Sequence, residues 1–273
     1  MLKIYNGDCV KVTALLPEHS IDCVVTSPPF GGKVHVNEHR QRTYDVYNDE
    51  IDVPKYNAMC FNLFTELNRV MKKNGVVCWE VSYNKGCSEQ FVLALNEIIT
   101  KTPFTIADVM IWKKASALPI PDSPNRLSRI CEMVYILVRR EDYETYYCNK
   151  PVTSVTEVGR NKYGNVTNLI VSKNNDGMTE LNGATFSTDF ARQLLDLYCP
   201  KGGTVYDPFM GTGTTASAAR DKGLDCYGAE LSAAQCEYAK KRLDDMFTNL
   251  EIVKLETETE NKNQEQEQGE TEK

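Results

Sequence analysis

Thr204-Val205-Tyr206-Asp207-Pro208-Phe209-Met210-Gly211-Thr212-Gly213-Thr214-Thr215 reads as a strand, a glycine turn and the start of a helix. Glycines at such a turn let the backbone approach a ligand closely at a helix N-terminus. The next strand, Cys226-Tyr227-Gly228-Ala229-Glu230, ends on an acid that can take both hydroxyls of a ribose. Gly211-x-Gly213-x-x-Ala216 also fits a loose dinucleotide fingerprint, so a nicotinamide-dependent oxidoreductase is one reading of this half. The glycines alone do not choose the nucleoside.

Strands and helices alternate on both sides of this stretch. Short apolar runs at 2–5, 21–25, 76–81, 107–112, 132–138, 204–207 and 226–230 predict strands. The runs at 107–112 and 132–138 fit an antiparallel pair. Helical spacing at 9–16, 57–71, 89–100, 188–198, 214–222 and 233–246 predicts helices. The pattern predicts an α/β fold with a doubly wound, mostly parallel sheet. Two stretches interrupt it: residues 31–56 are polar and read as a long loop, and 141–183 read as an insertion or a separate recognition lobe.

A second stretch, Thr26-Ser27-Pro28-Pro29-Phe30, follows the apolar run Ile21-Asp22-Cys23-Val24-Val25. Two prolines fix φ and remove two N–H donors, so carbonyls at the strand end point in set directions. A small hydroxyl at Ser27 and a ring at Phe30 flank them. Acceptors without competing donors, beside a flat stacking surface, suit a planar ring whose exocyclic NH₂ must be recognised.

Composition sets outer bounds. The 273 residues suffice for one large domain, and 41% hydrophobic with 25% charged residues is ordinary for a globular chain. No apolar run approaches the roughly 18 residues that span a membrane. The N-terminal Met1-Leu2-Lys3-Ile4-Tyr5 enters a strand-like pattern without a secretory layout, which points to the cytoplasm. Ten cysteines without C-x-x-C spacing fit buried, reduced thiols rather than a disulfide framework or a zinc site. The net charge is −7, but residues 251–273 carry eight Glu and three Lys, so the other 250 residues total −2. That acidic tail is expected to be disordered. The near-neutral body leaves room for a basic face, so charge does not decide for or against a nucleic-acid partner.

Taken together, the two stretches resemble those of the DNA amino-methyltransferases in which the catalytic motif precedes the cofactor motif, a circularly permuted order (the beta group). The resemblance runs from Met1 to about Met246. Tyr5-Asn6-Gly7-Asp8-Cys9 is similar to the family's cofactor-adenine segment, and Thr26-Ser27-Pro28-Pro29-Phe30 to its catalytic motif. Asn125-Arg126 through Ile136 resembles the loop and strand beside the flipped base. Ala184-Thr185-Phe186-Ser187 resembles the segment over the cofactor's methionine part. Asp207-Pro208-Phe209-x-Gly211-x-Gly213-Thr214-Thr215 resembles the cofactor loop, and Glu230 the ribose acid.

The resemblance implies a Rossmann-like methyltransferase fold, S-adenosylmethionine as methyl donor and double-stranded DNA as acceptor, with no metal and no membrane; a homodimer is compatible with it. Ser27, Pro28, Pro29 and Phe30 are then the catalytic candidates. Asp8, Thr185, Phe186, Asp207, Pro208, Phe209, Gly211, Gly213, Thr214, Thr215 and Glu230 are the cofactor candidates; Asp8 could instead cap the helix that follows it. Lys33, Arg40, Arg42, Arg126 and Arg129 are the DNA candidates, with His35 and His39 in the same loop as the first three. Trp79 and Trp112 are expected in the core. Residues 1–140 form the catalytic half, with 31–56 as a DNA-contacting loop; 141–183 are the target-recognition insertion and 184–250 the cofactor half. A Ser before Pro-Pro favours cytosine N4 as target over adenine N6. An RNA or protein amine as acceptor, and a catalytically silent DNA-binding relative, are the other readings weighed.

Overall fold

Tyr56, Cys60, Leu63, Phe64, Leu67 and Val70 recur at helical spacing and form the buried stripe of α2 (Val53–Val70). This helix starts four residues earlier than its apolar pattern suggests, because Pro54 is tolerated in a first turn, where its missing N–H has no intrahelical partner to lose. The computed structural model describes residues 1–29, 52–82, 88–121, 124–177, 184–244 and 249–255. Phe30, Lys33, His35, His39, Arg40 and Arg42 lie outside them, as does the tail beyond Leu255.

Before α2 come β1 (Leu2–Asn6), α1 (Cys9–Leu15) and β2 (Ile21–Thr26). After it come β3 (Met71–Val81), α3 (Ser88–Lys101), β4 (Phe104–Leu118) and β5 (Arg129–Arg139). A short hairpin, β6 (Val152–Val155) and β7 (Asn161–Tyr163), precedes β8 (Leu169–Ser172). Then follow α4 (Thr188–Tyr198), β9 (Thr204–Asp207), α5 (Thr214–Asp221), β10 (Asp225–Glu230), α6 (Ala233–Leu243) and β11 (Leu250–Lys254).

Nine of these strands make one sheet in the order β11-β1-β10-β9-β2-β3-β5-β4-β8. All neighbours pair in parallel except β5, which is antiparallel to both β3 and β4. Val12, Phe64, Leu67 and Ile98 place α1, α2 and α3 on one face; Phe190, Leu194, Ala218 and Ala239 place α4, α5 and α6 on the other. The chain winds from β9 through α5 to β10 in one direction and from β2 through α2 to β3 in the other. The strand order therefore reverses between β9 and β2, and a crevice opens outside the carboxyl ends of such strands.

Besides the β6–β7 hairpin, two strands of the main sheet lie where the sequence predicts none. Leu169–Ser172, inside the segment read as an insertion, joins the main sheet beside β4, with Ile170 and Ser172 turned inward. Leu250–Lys254 pairs in register with β1, so the chain read as tail from Glu251 is still ordered through Lys254. Both are short alternating runs that cover an otherwise open sheet edge. Trp79 and Trp112 are core residues, as expected: Trp79 packs edge-on to Phe64 with ring centroids 5.1 Å apart, and Trp112 stacks on Phe190 at 4.2 Å. Nine cysteines are described; all are free thiols and seven are buried. No described helix is long and apolar enough to cross a membrane.

Candidate active site

The ends of β1, β2, β9 and β10 meet at one cleft of about 1010 Å³, its open mouth included. Gly7 and Asp8 line it from β1; Ser27, Pro28 and Pro29 from β2; Asp207, Pro208, Phe209 and Gly211 from β9 and its turn; and Glu230 from β10. Thr214 at the start of α5 and Thr185 with Phe186 ahead of α4 complete the set of predicted residues on its wall.

Asp207 joins the two motifs. It is 2% exposed, and its Oδ1 accepts from Thr26 Oγ1 at 2.6 Å and from Phe209 N at 3.0 Å. Its Oδ2 accepts from Thr215 Oγ1 at 2.6 Å. Thr26 immediately precedes Ser27, so this carboxyl sets the end of the proline-bearing strand against the glycine turn. Burial pushes the Asp207 pKa up to about 6 despite the three hydrogen bonds.

Glu230 is fixed from both sides: Gly211 N donates to Oε2 and Ser232 N to Oε1, each at 2.8 Å. A carboxylate has about four lone-pair sites, so one held in this plane can also serve two vicinal hydroxyls. Asp8 caps α1, with Oδ1 accepting from Val10 N at 3.0 Å and Lys11 N at 3.1 Å, while it also lines the cleft. The cap and the cofactor readings of Asp8 are therefore not exclusive.

Two predicted cofactor residues face elsewhere. Thr215 is fully buried, donating to Asp207 and to Val25 O at 3.2 Å, and is not on the cleft wall. Gly213 caps α5 with φ 83°, where a Cβ would stand 2.8 Å from Leu243 Cδ1 and 3.2 Å from Ala239 Cβ. Its conformation and its contact with α6 both require glycine. Gly213→Ala is expected to cost roughly 2 kcal/mol, from left-handed strain plus overpacking, read as a shifted urea midpoint at unchanged slope.

Arg126 is exposed and Arg129 half-buried at the start of β5. Because β5 runs antiparallel, they stand at the sheet edge that carries the cleft without lining it. The cleft wall also includes Met59 of α2 and Leu231, Ser232 and Gln235 after β10, none of which the motifs single out. Arg242 of α6 braces the glycine turn by donating to Thr212 O and Thr214 Oγ1, both at 3.2 Å. Burial pushes the thiols of Cys60 and Cys236 up to about 12 and those of Cys9 and Cys226 well above their ordinary value, which keeps them un-ionised and poorly nucleophilic.

Fold and site define a doubly wound α/β enzyme with a nucleoside-type cleft and an acceptor-rich proline motif at one switch point. A family model described as DNA methylase, for N6 and N4 methyltransferases, matches residues 21–241. The chain belongs to this DNA methylase family. It is similar to the type II methyltransferase M.MjaI of Methanocaldococcus jannaschii, 26% identical over 84% of this chain and 86% of that one. It is equally similar to the orphan methyltransferase M.BamHII of Bacillus amyloliquefaciens, 26% identical over 87% and 90% of the two chains. Among solved structures, the cytosine-N4-specific PvuII DNA methyltransferase superposes with a TM-score of 0.63 at 18% identity, covering 92% of this chain and 94% of that chain. The M1.HpyAVI–SAM complex gives a TM-score of 0.59 at 18% identity, over 89% and 100%. Family membership removes the nicotinamide reading of the glycine turn.

Proposed function

We propose that this protein transfers a methyl group from S-adenosylmethionine to the exocyclic amine of a base extruded from duplex DNA, with cytosine N4 the favoured acceptor. The observation that carries this reading is the convergence of Ser27-Pro28-Pro29 and the Gly211–Glu230 pair on one cleft.

The cleft fits the cofactor's nucleoside part. The Glu230 carboxylate, locked by Gly211 N and Ser232 N, is set to receive ribose hydroxyls, and Thr185 and Phe186 border the remainder. When bound, S-adenosylmethionine supplies an electrophilic methyl on a sulfonium. The chain's own task is to make a poor nucleophile better, because the lone pair of a base amine is delocalised into the ring. Ser27 Oγ and the Pro28 carbonyl accept the two N–H bonds and draw the nitrogen toward sp³ geometry. Phe30 stacks on the base, which must leave the duplex for its amine to be reached. Most of the acceleration then comes from positioning and preorganised dipoles.

Arg126 and Arg129 meet DNA phosphates at the sheet edge, Lys33, Arg40 and Arg42 do so from 31–56, and 141–183 contribute to recognition. The preference for cytosine rests on the family resemblance, in which a Ser before Pro-Pro goes more often with cytosine N4 and an Asp with adenine N6; the neutral hydroxyl itself can serve either amine.

The test is incubation with unmethylated genomic DNA and S-adenosylmethionine, followed by digestion to nucleosides and mass spectrometry. N4-methylcytosine is expected. N6-methyladenine would keep the reaction and overturn the target base. Neither product, with cofactor binding measured separately, would move the acceptor to RNA or protein.

A further inference from the structure

A row of polar side chains runs along the sheet edge beside Ser27. Glu80 of β3 lies opposite Val134 of β5, and Glu132 of β5 lies opposite Trp112 of β4. Strand alternation therefore sets Glu80, Glu132 and Lys114 on the face that buries Cys78, Val134 and Trp112 beneath α4. Glu80 is 3% exposed and Glu132 7%. Lys114 Nζ lies 2.6 Å from Glu132 Oε2 and 4.6 Å from the centre of the Trp112 ring.

Thr26 pairs with Trp79 in the parallel β2–β3 register, which sets Ser27 beside Glu80, and Glu132 is the diagonal neighbour of Glu80 across β3 and β5, while Glu80 Oε1 is buried without a hydrogen-bond partner among the described residues. The result is a row of adjoining polar groups, Ser27–Glu80–Glu132–Lys114, closed at its far end by the Glu132–Lys114 ion pair. Two buried carboxyls this close resist carrying two negative charges. Burial, and then the charge of Glu132, push the Glu80 carboxyl well above the usual carboxylate range, with Ser27 and Lys114 opposing. Among the described residues, the titratable groups facing Glu80 are thus Glu132 from β5 and Lys114 from β4; α4 gives that face Phe190, Ala191 and Leu194.

We propose that Glu80 and Glu132 hold one proton between them and accept, through Ser27, the proton that leaves the amine during methyl transfer. The inference rests on the methyl-transfer reading above. As the new C–N bond forms, the nitrogen becomes cationic and one N–H bond must break. Ser27 Oγ takes that proton and gives its own to Glu80, and Glu80 passes the shared proton to Glu132. Ser27 ends unchanged, both carboxyls end neutral, and one positive charge has moved from the base to the Glu132–Lys114 end of the chain. Water outside then removes the surplus proton. Glu80 is a positioning residue that works through Ser27; it does not touch the base.

The test uses Glu80→Gln, which keeps an acceptor for the Ser27 hydroxyl but cannot take a proton. Cofactor binding and the melting curve of the variant report its fold. With genomic DNA as substrate, kcat is expected to fall by about 10²-fold or more, the usual reach of acid–base assistance, with KM unchanged. The acid limb of the wild-type kcat profile, where the pair fills with a second proton, should vanish. An infrared spectrum of the protein alone at neutral pH should contain a protonated-carboxyl stretch that Glu80→Gln lacks; its observation in wild type needs no variant. Wild-type kcat in Glu80→Gln, or wild type without that stretch, overturns the inference alone. Wild type that methylates no DNA overturns the methyl-transfer reading and this inference with it.

Discussion

Ser27→Ala is expected to lower kcat by about 10²–10³-fold, the usual cost of removing one preorganised polar group at a reaction centre, while cofactor affinity stays at the wild-type level. Ser27 lies on the cleft wall between Thr26, which is tied to Asp207, and two prolines that hold the backbone. Removing one oxygen leaves that frame standing. Glu230 and its two backbone donors belong to β10 and the turn after β9, and do not touch Ser27. The loss should therefore appear in single-turnover rate and not in equilibrium binding of S-adenosylmethionine. Full activity would sink the role given to Ser27. Ser27→Asp is expected to be no better than Ala, because a third carboxyl would then face the buried Glu80–Glu132 pair.

The alternation of strands and helices was legible because each buried strand is a short apolar run and each helix carries a stripe, as in Val76–Val81 and Tyr56–Val70. The cleft was legible because its residues cluster in two motifs at strand ends. Three features were not. Leu169–Ser172 and Leu250–Lys254 each have only four or five residues, too few for period to separate strand from loop, and each gains its partner from chain far away. Gly213 and Thr215 sit in the same motif as Gly211, yet the motif does not say which way each one faces. Gly211 meets the cleft, Gly213 meets α6, and Thr215 meets Asp207. Glu80 follows Trp79 in a run read only as a buried strand, and no motif singles it out. Its burial depends on register with β5 and on Lys114, which sequence spacing does not contain.

Asp207→Ala is expected to cost roughly 3–5 kcal/mol of stability, as when one partner of a buried charge-assisted network is deleted. Thr215 can fall back on Val25 O at 3.2 Å, but Thr26 Oγ1 and Phe209 N would be left without the acceptor they share. Because those donors hold Ser27 and the glycine turn in place, cofactor binding should weaken along with stability. Asp207→Asn separates charge from hydrogen bonding. The wild-type carboxyl titrates at about 6 in the folded protein, pushed up by burial, against about 4 when unfolded. A carboxyl raised in this way favours the folded state fully below pH 4, and that advantage is lost as pH rises through 6. Urea titrations at pH 4 and pH 7.5 should therefore show wild type losing about 2 kcal/mol relative to Asp207→Asn over this interval, with the sign reversed from that of an ordinary salt-bridged acid. A difference independent of pH would mean that Asp207 is ionised throughout, and that its hydrogen bonds to Thr26, Thr215 and Phe209 outweigh its burial.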